Sequence, residues 1–241
     1  MPEPYNREGR VPSRSQRAFQ AMRPHVQPGS FSLLLVAVVL HYLLNGLTVD
    51  STVSAIVVKV ARFGVTCASL YVLSANRLTL WLGVVVIGLA TTLEFQLWGL
   101  DPQVHRVLQD SIIMGFLLWV FVVVLREVFR PSTIERDAVI GALCDFLLIL
   151  AIFTRLHGLI EALWPGSYHA DGPPLSERSD VMLNAVFQYF STITLTTVGY
   201  GDIVPVTPAA RLTTGMEAIT GQLYLAVVIA ILVSRVSGRR D

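Results

Sequence analysis

The chain has 241 residues, is 53% hydrophobic and 15% charged, and carries a formal net charge of +1. Its mean hydropathy of +0.60 is too high for an ordinary soluble domain and suits a multi-span membrane protein. The near-neutral balance excludes nucleic-acid binding as the main activity. The two cysteines, Cys67 and Cys144, lie inside apolar runs and offer neither a disulfide framework nor a metal cluster.

Residues 1–30 form a polar N-terminal tail with Arg7, Arg10, Arg14, Arg17 and Arg23. An apolar run that follows such a tail is not a secretory signal peptide. Spanning helices are expected at 31–49, 52–74, 78–98, 108–129, 136–163 and 208–236. The first four make a peripheral four-helix domain, 31–130, and the remainder, 131–241, a second unit. The tail arginines, Arg77, Arg126, Arg130, Arg136, Arg235, Arg239 and Arg240 fall on one side of this layout. Only Arg106, Arg178 and Arg211 fall on the other. The excess of basic residues places both termini in the cytoplasm of a multi-pass cell-membrane protein.

Four charges lie within the peripheral runs: Lys59, Arg62, Glu94 and Asp110. Counted from the outer helix ends, all sit in the outer half, where mutual ion pairing would make them tolerable. Both a structural and a sensing role fit them. The core of the fourth run, SIIMGFLLWVFVVVL (111–125), has no charge. A voltage sensor needs arginines repeated along such a helix, so strong voltage gating is not expected.

In the second unit, Ser132 and Glu135 after Pro131 make a capping box that starts the outer helix, 136–163. The same depth count pairs Arg155 of that helix with Glu217 of the last one, as a static brace or as a proton- or filter-linked gate. Asp145 lies deeper, with no evident partner. His25, His41, His105, His157 and His169 form no cluster and read as tail, interface or loop residues. The segment WPGSYHADGPPLSERSD (164–180) is a polar external loop. Next comes an apolar run, 181–195. Its fifteen or so residues cover roughly 22 Å at 1.5 Å each, short of a core about 30 Å thick. It should dip in and return, which needs protein or a water-filled cavity around the exposed backbone. Thr207 and Pro208 supply the cap and first residue of the inner helix, 208–236. Gly221 interrupts that helix near its middle, in EAITGQLYL, as a gating hinge or a point of close packing. Ile229 and Val233 are candidates for a constriction below it.

Between the short run and the inner helix stands Thr196-Thr197-Val198-Gly199-Tyr200-Gly201-Asp202. TVGYG resembles the selectivity filter of potassium channels. From Phe187 to Val233, with TLTTVGYGD, Pro205 and Gly221, the chain resembles the pore region of prokaryotic six-transmembrane potassium channels of the ion-channel superfamily. A permeating ion that sheds water must meet replacement oxygens, and backbone carbonyls provide them without a charge that would trap it. Gly199 and Gly201 permit the positive φ that such a strand needs. The re-entrant helix aims its negative end at the ion path.

The resemblance implies an all-α membrane protein of six transmembrane helices, with a pore helix (181–195) and filter loop (196–202) between the fifth and sixth. It also implies a tetrameric pore built with three identical subunits in membrane lipid. Thr197, Val198, Gly199 and Tyr200 would hold K+, with Gly201 completing the filter. Thr196, Tyr189 and Asp202 would support it. Two departures stand out. Tyr189 and Phe190 occupy positions where many members have tryptophans; Tyr189 can still reach Asp202, but Phe190 cannot donate to Tyr200. Ile193 stands where some members carry a buried Glu.

The expected function is a subunit for selective, passive potassium permeation, with K+ as permeant ion and no cofactor. A less selective cation channel and a non-conducting regulatory subunit are the alternatives. No nucleophile–base pair, metal-ligand spacing or nucleotide motif supports an enzyme. The last apolar run ends about five residues before the chain does. Gating is therefore expected in the membrane domain, the lipid, the N-terminal tail or a separate regulatory partner.

Overall fold

The structure is a computed structural model that describes residues 30–47, 51–73, 77–94, 99, 101–129, 135–170, 172, 174, 175 and 178–237. The basic tail, the Ser132–Glu135 capping box, Arg130, Arg239 and Arg240, and the side chains of Arg77, Glu94, Val233 and Arg235 lie outside the described set.

Among the described residues, seven helices and two short strands follow in order: α1 Ser30–Gly46, α2 Thr52–Leu73, α3 Arg77–Glu94, α4 Pro102–Val128, α5 Glu135–Leu163, β1 Tyr168–Ala170, α6 Asp180–Leu195, β2 Ile203–Pro205 and α7 Pro208–Ser237. Local chemistry fixes several starts. Asp101 caps α4 by accepting from the amides of Gln103 at 2.9 Å and Val104 at 3.4 Å, with Pro102 in the first turn. Ser179 caps α6 through the Met182 amide, and Thr207 caps α7 through the Ala210 amide. Helix α4 begins six residues before the expected 108 because the cap lies ahead of a polar first stretch, which hydropathy alone does not count as helix.

Among the described residues, four helices are long and apolar enough to cross a membrane: Thr52–Leu73, Gln103–Val128, Arg136–Leu163 and Pro208–Ile231. Ser30–Gly46 and Leu80–Thr92 are apolar but shorter. The chain is thus an all-α membrane protein in its architecture. Helix α6, with 16 residues, is about 24 Å long at 1.5 Å per residue.

Helix α5 is the hub, packing along α4 over most of its length and also touching α1, α6 and α7. One core joins Phe31, Leu34 and Val38 of α1, Val65 and Val72 of α2, Val120 and Val124 of α4, and Leu148 of α5. A second core wraps α6: Leu183, Phe187 and Phe190 meet Ile160, Tyr168, Ile203 and Ala210. By contrast α7 leaves Leu212, Met216, Ile219 and Leu223 at least half exposed. Their spacing puts them on one helix face.

Strand β1 lies within the expected polar loop. β1 and β2 pair antiparallel in the register Tyr168↔Pro205, His169↔Val204 and Ala170↔Ile203. Three-residue strands are too short for an alternating pattern to show in sequence.

Candidate functional site

The TVGYG stretch leaves α6 through a closed, hydrogen-bonded end. The Thr196 amide donates to the Thr192 carbonyl at 3.1 Å, and its hydroxyl donates to the same oxygen at 2.6 Å. The Thr197 amide donates to Thr194 at 2.9 Å. One turn earlier, the Ile193 carbonyl accepts from both Val198 (2.8 Å) and Gly199 (3.1 Å). These bonds satisfy carbonyls that a helix end would otherwise leave open. They also tie down the Val198 and Gly199 amides.

Backbone φ then alternates in sign. Thr197 is at +60°, Gly199 at +54° and Gly201 at +79°, while Val198 and Tyr200 are not left-handed. Alternation of left- and right-handed residues turns successive carbonyls toward one side, the arrangement a carbonyl-lined ion path needs. Gly199 and Gly201 adopt this conformation at little cost. Thr197 adopts it despite a branched Cβ, the kind of strain that clusters at functional sites. Val198 and Tyr200 are 52% and 73% exposed in the single chain.

Support around the stretch is polar at its mouth and apolar behind. The Tyr189 hydroxyl donates to Asp202 Oδ2 at 2.7 Å. Phe190 is buried and packs edge-on against His157 (centroids 5.0 Å apart) and Tyr168 (5.6 Å). Gly221 of α7 lies against the base of the stretch. A Cβ there would collide with the Leu195 carbonyl oxygen and stand 3.0 Å from its Cδ1. Close packing therefore accounts for this glycine on its own.

The ion pairs differ from those expected. Arg155 Nη1 donates to Asp110 Oδ1 of α4 at 2.8 Å, not to Glu217. Glu217 instead meets His157, with Nε2 to Oε2 at 2.8 Å and both side chains fully buried. Counting residues gives depth but not direction around the helix. Arg155 and His157, two positions apart, point about 200° apart at 3.6 residues per turn, so only one of them can face α7. For the same reason Asp110 is drawn to α5, where it pairs with Arg155. The side chain of Glu94 lies outside the described residues. Asp145 is buried, and neither of its oxygens has a partner among the described residues.

His157 is the residue that sequence reading missed. It is not an interface or loop histidine but a buried hub caged by Phe153, Tyr168, Phe187 and Phe190. Its Nδ1 lies 2.6 Å from the Tyr168 hydroxyl. The geometry suits one tautomer, with Nε2–H donating to Glu217 and Tyr168 donating to Nδ1. Burial, and next the Glu217 and Glu161 carboxylates, push the Tyr168 hydroxyl well above its usual range, so it stays a donor. Glu161 fixes the same loop, accepting from the Gly166 amide at 2.8 Å and the Tyr168 amide at 3.2 Å. Thus α5, α6, α7 and strand β1 meet at one imidazole behind the TVGYG stretch.

A second link joins α6 to the peripheral helices. Gln188 donates to the Tyr42 carbonyl at 2.9 Å and accepts from Asn45 Nδ2 at 2.7 Å. The Tyr42 hydroxyl lies 3.1 Å from Thr192 Oγ1.

A family model described as an ion channel matches residues 182–238, which span α6, the TVGYG stretch and α7. The chain is 39% identical over 112 residues to the potassium voltage-gated channel protein shk-1 of Caenorhabditis elegans, covering 46% of this chain and 18% of that protein. It is 34% identical over 136 residues to the voltage-gated potassium channel Kch of Escherichia coli, covering 56% and 27%. It is 30% identical over 88 residues to the inward rectifier potassium channel Kirbac3.1 of Paramagnetospirillum magnetotacticum, covering 36% and 30%. The chain spans less than a third of the length of each of these relatives. No solved structure matches it. Residues 182–238 therefore match an ion-channel family model, and this part of the chain, set among apolar helices, is similar to potassium channels.

Proposed function

We propose that the chain is one of four identical subunits of a potassium-selective channel that conducts K+ passively across the cell membrane. The observation that carries this reading is the alternating φ of Thr197 to Gly201, with the Val198 and Gly199 amides tied back to Ile193. Thr197, Val198, Gly199 and Tyr200 offer carbonyls to K+, and the Thr197 hydroxyl adds the innermost oxygen. Gly201 gives the strand its last left-handed turn. Thr196 anchors the base, and the Tyr189–Asp202 bond supports the mouth. One chain supplies one wall of such a path. The exposed filter side chains and the exposed α7 stripe through Leu212, Met216, Ile219 and Leu223 support further copies around a common axis.

In this reading all six longer helices span the membrane, α6 dips in and returns, and both termini are cytoplasmic. Residues 1–30 are a tail, 31–130 a peripheral domain and 131–241 the pore domain. The uncharged core of α4 supports gating that is not strongly voltage-driven.

The purified chain, reconstituted alone in lipid bilayers, tests the proposal. Single-channel currents should reverse near the potassium equilibrium potential in mixed potassium and sodium. A reversal potential that follows both ions would mean a less selective cation channel. Absence of current from correctly assembled protein would mean a non-conducting subunit.

A further inference from the structure

A cavity of about 400 Å3 lies between α1, α2, α3, α4, α5 and α6, and no residue of the TVGYG stretch lines it. Protein interiors hold few voids larger than a water molecule, whereas ligand pockets typically run from about 300 to 1,000 Å3. Most of the wall is hydrocarbon, with Val38, Ile87, Phe116, Leu148 and Ala151 among its residues. The charges along it ask for no counter-ion. Arg155 is held by Asp110 at 2.8 Å, Arg62 has an interaction of its own, and Lys59 is exposed.

Two polar atoms on α1 do ask for a partner. Val38, His41 and Asn45 stand at i, i+3 and i+7, on one helix face, and all line the cavity. Asn45 is 3% exposed. Its Nδ2 donates to Gln188 Oε1 at 2.7 Å, and Gln188 Nε2 donates to the Tyr42 carbonyl at 2.9 Å. This chain of bonds fixes which end of each amide is which, so the Asn45 atom left over is the acceptor, Oδ1. It has no partner among the described residues, and neither has Nδ1 of His41, one turn away. A buried polar atom without a partner is costly. Water satisfies such an atom but gains nothing from a hydrocarbon wall, and apolar cavities stay dry. A molecule with hydroxyls at one end and a hydrocarbon chain at the other suits both parts of the cavity.

We propose that this cavity binds a monoacylglycerol, an uncharged single-chain lipid with two hydroxyls. One hydroxyl donates to Asn45 Oδ1. The other bonds His41 Nδ1, and it does so in either imidazole tautomer, because a hydroxyl both donates and accepts. The acyl chain lies against the apolar wall formed by Val38, Phe116 and Leu148. A carboxylate head has no proton to give Asn45, so a fatty acid does not fit as well. Asn45 in turn holds Gln188 of α6, and the occupant thereby braces α1 against the helix that leads into TVGYG. This assignment stands apart from the ion selectivity of the pore.

The test uses the full chain in lauryldimethylamine oxide, a detergent without a hydrogen-bond donor. It is titrated with monoolein, methyl oleate and oleate, and binding is followed by native mass spectrometry. The three ligands share one acyl chain, and only monoolein brings hydroxyls. Monoolein should bind saturably and at least tenfold more tightly than either of the others. Asn45→Met should lower monoolein affinity at least tenfold and leave methyl oleate unchanged. That change also releases Gln188, so His41→Leu serves as the milder variant and should lower monoolein affinity at least threefold. Ala151→Phe, or Ile87→Trp if the first fails to assemble, should abolish monoolein binding by filling the cavity. Methyl oleate binding as tightly as monoolein would reduce the site to an apolar void, and oleate binding as tightly would mean that the hydroxyls are not read. Wild-type monoolein affinity in His41→Leu or in the filled variant would place the lipid elsewhere. Each of these results, or no saturable binding, overturns the proposal. Every readout is independent of conduction, so a failed channel assay and a failed lipid site are distinguishable.

Discussion

His157 Nε2 and Glu217 Oε2 lie 2.8 Å apart with neither side chain exposed, joining α5 and α7 directly behind α6. A buried donor that loses its acceptor costs about 1–3 kcal/mol, whereas a conservative exchange that keeps the bond costs little. Glu217→Leu strands the imidazole N–H and should destabilise the assembled protein by roughly 2 kcal/mol. Glu217→Gln retains an acceptor oxygen and should cost less than half as much. Thermal unfolding of both variants in one detergent makes the comparison. Equal losses would show that the carboxylate's charge, not its hydrogen bond, carries the contact.

The two glycines of TVGYG are left-handed, Gly199 at +54° and Gly201 at +79°. A side chain in that conformation costs roughly 1–2 kcal/mol per residue. Open space surrounds both positions in the single chain, so the expected damage comes from the backbone rather than from a clash. Gly199→Ala and Gly201→Ala should each assemble, yet pass less potassium or begin to pass sodium. Reversal potentials in mixed ions are the measurement. Wild-type selectivity and conductance in both variants would count against the carbonyl ladder.

Voltage should act weakly on this protein. Moving one full charge across the field is worth about 2.3 kcal/mol per 100 mV, and residues 111–125 of α4 carry no charge. Arg155 is also held by Asp110, at 2.8 Å within the bundle. Open probability should change only shallowly from about −100 to +100 mV. A steep, saturating curve would show that Lys59 and Arg62 move through the field.

The apolar helices and the left-handed glycines of the TVGYG stretch were legible because each is written in consecutive residues. A run of apolar residues declares a membrane helix, and two glycines spaced two apart declare an alternating backbone. The hub at His157 was not legible, because it joins four segments distant in sequence and depends on direction around α5. A signal was present. In ILAIFTRLHGLIEAL (149–163) the cation Arg155 and His157 stand two positions apart. They must therefore point to opposite sides of one helix. Matching each to an acid on a different neighbour, rather than matching depth alone, would have found both pairs. The β1–β2 pairing and the cavity have no such local trace, since each is created only when distant segments meet.

Gly221 separates two accounts of the inner helix. As a hinge, it weakens α7 by about 1 kcal/mol relative to Ala, and Gly221→Ala would lower open probability without touching conductance. As a contact point, it gives the Leu195 carbonyl its only room, because a Cβ would collide with that oxygen. Leu195 is fully buried and ends α6 one residue before Thr196. The added methyl must then push α7 outward or shift the filter base. Cores that are overpacked in this way typically lose about 1–3 kcal/mol. The contact predicts that Gly221→Ala lowers both the thermal stability of the assembled protein and the single-channel conductance, and that Gly221→Ser does the same or more. Unchanged stability and conductance together with fewer openings would restore the hinge and remove the contact as the reason for glycine at this position.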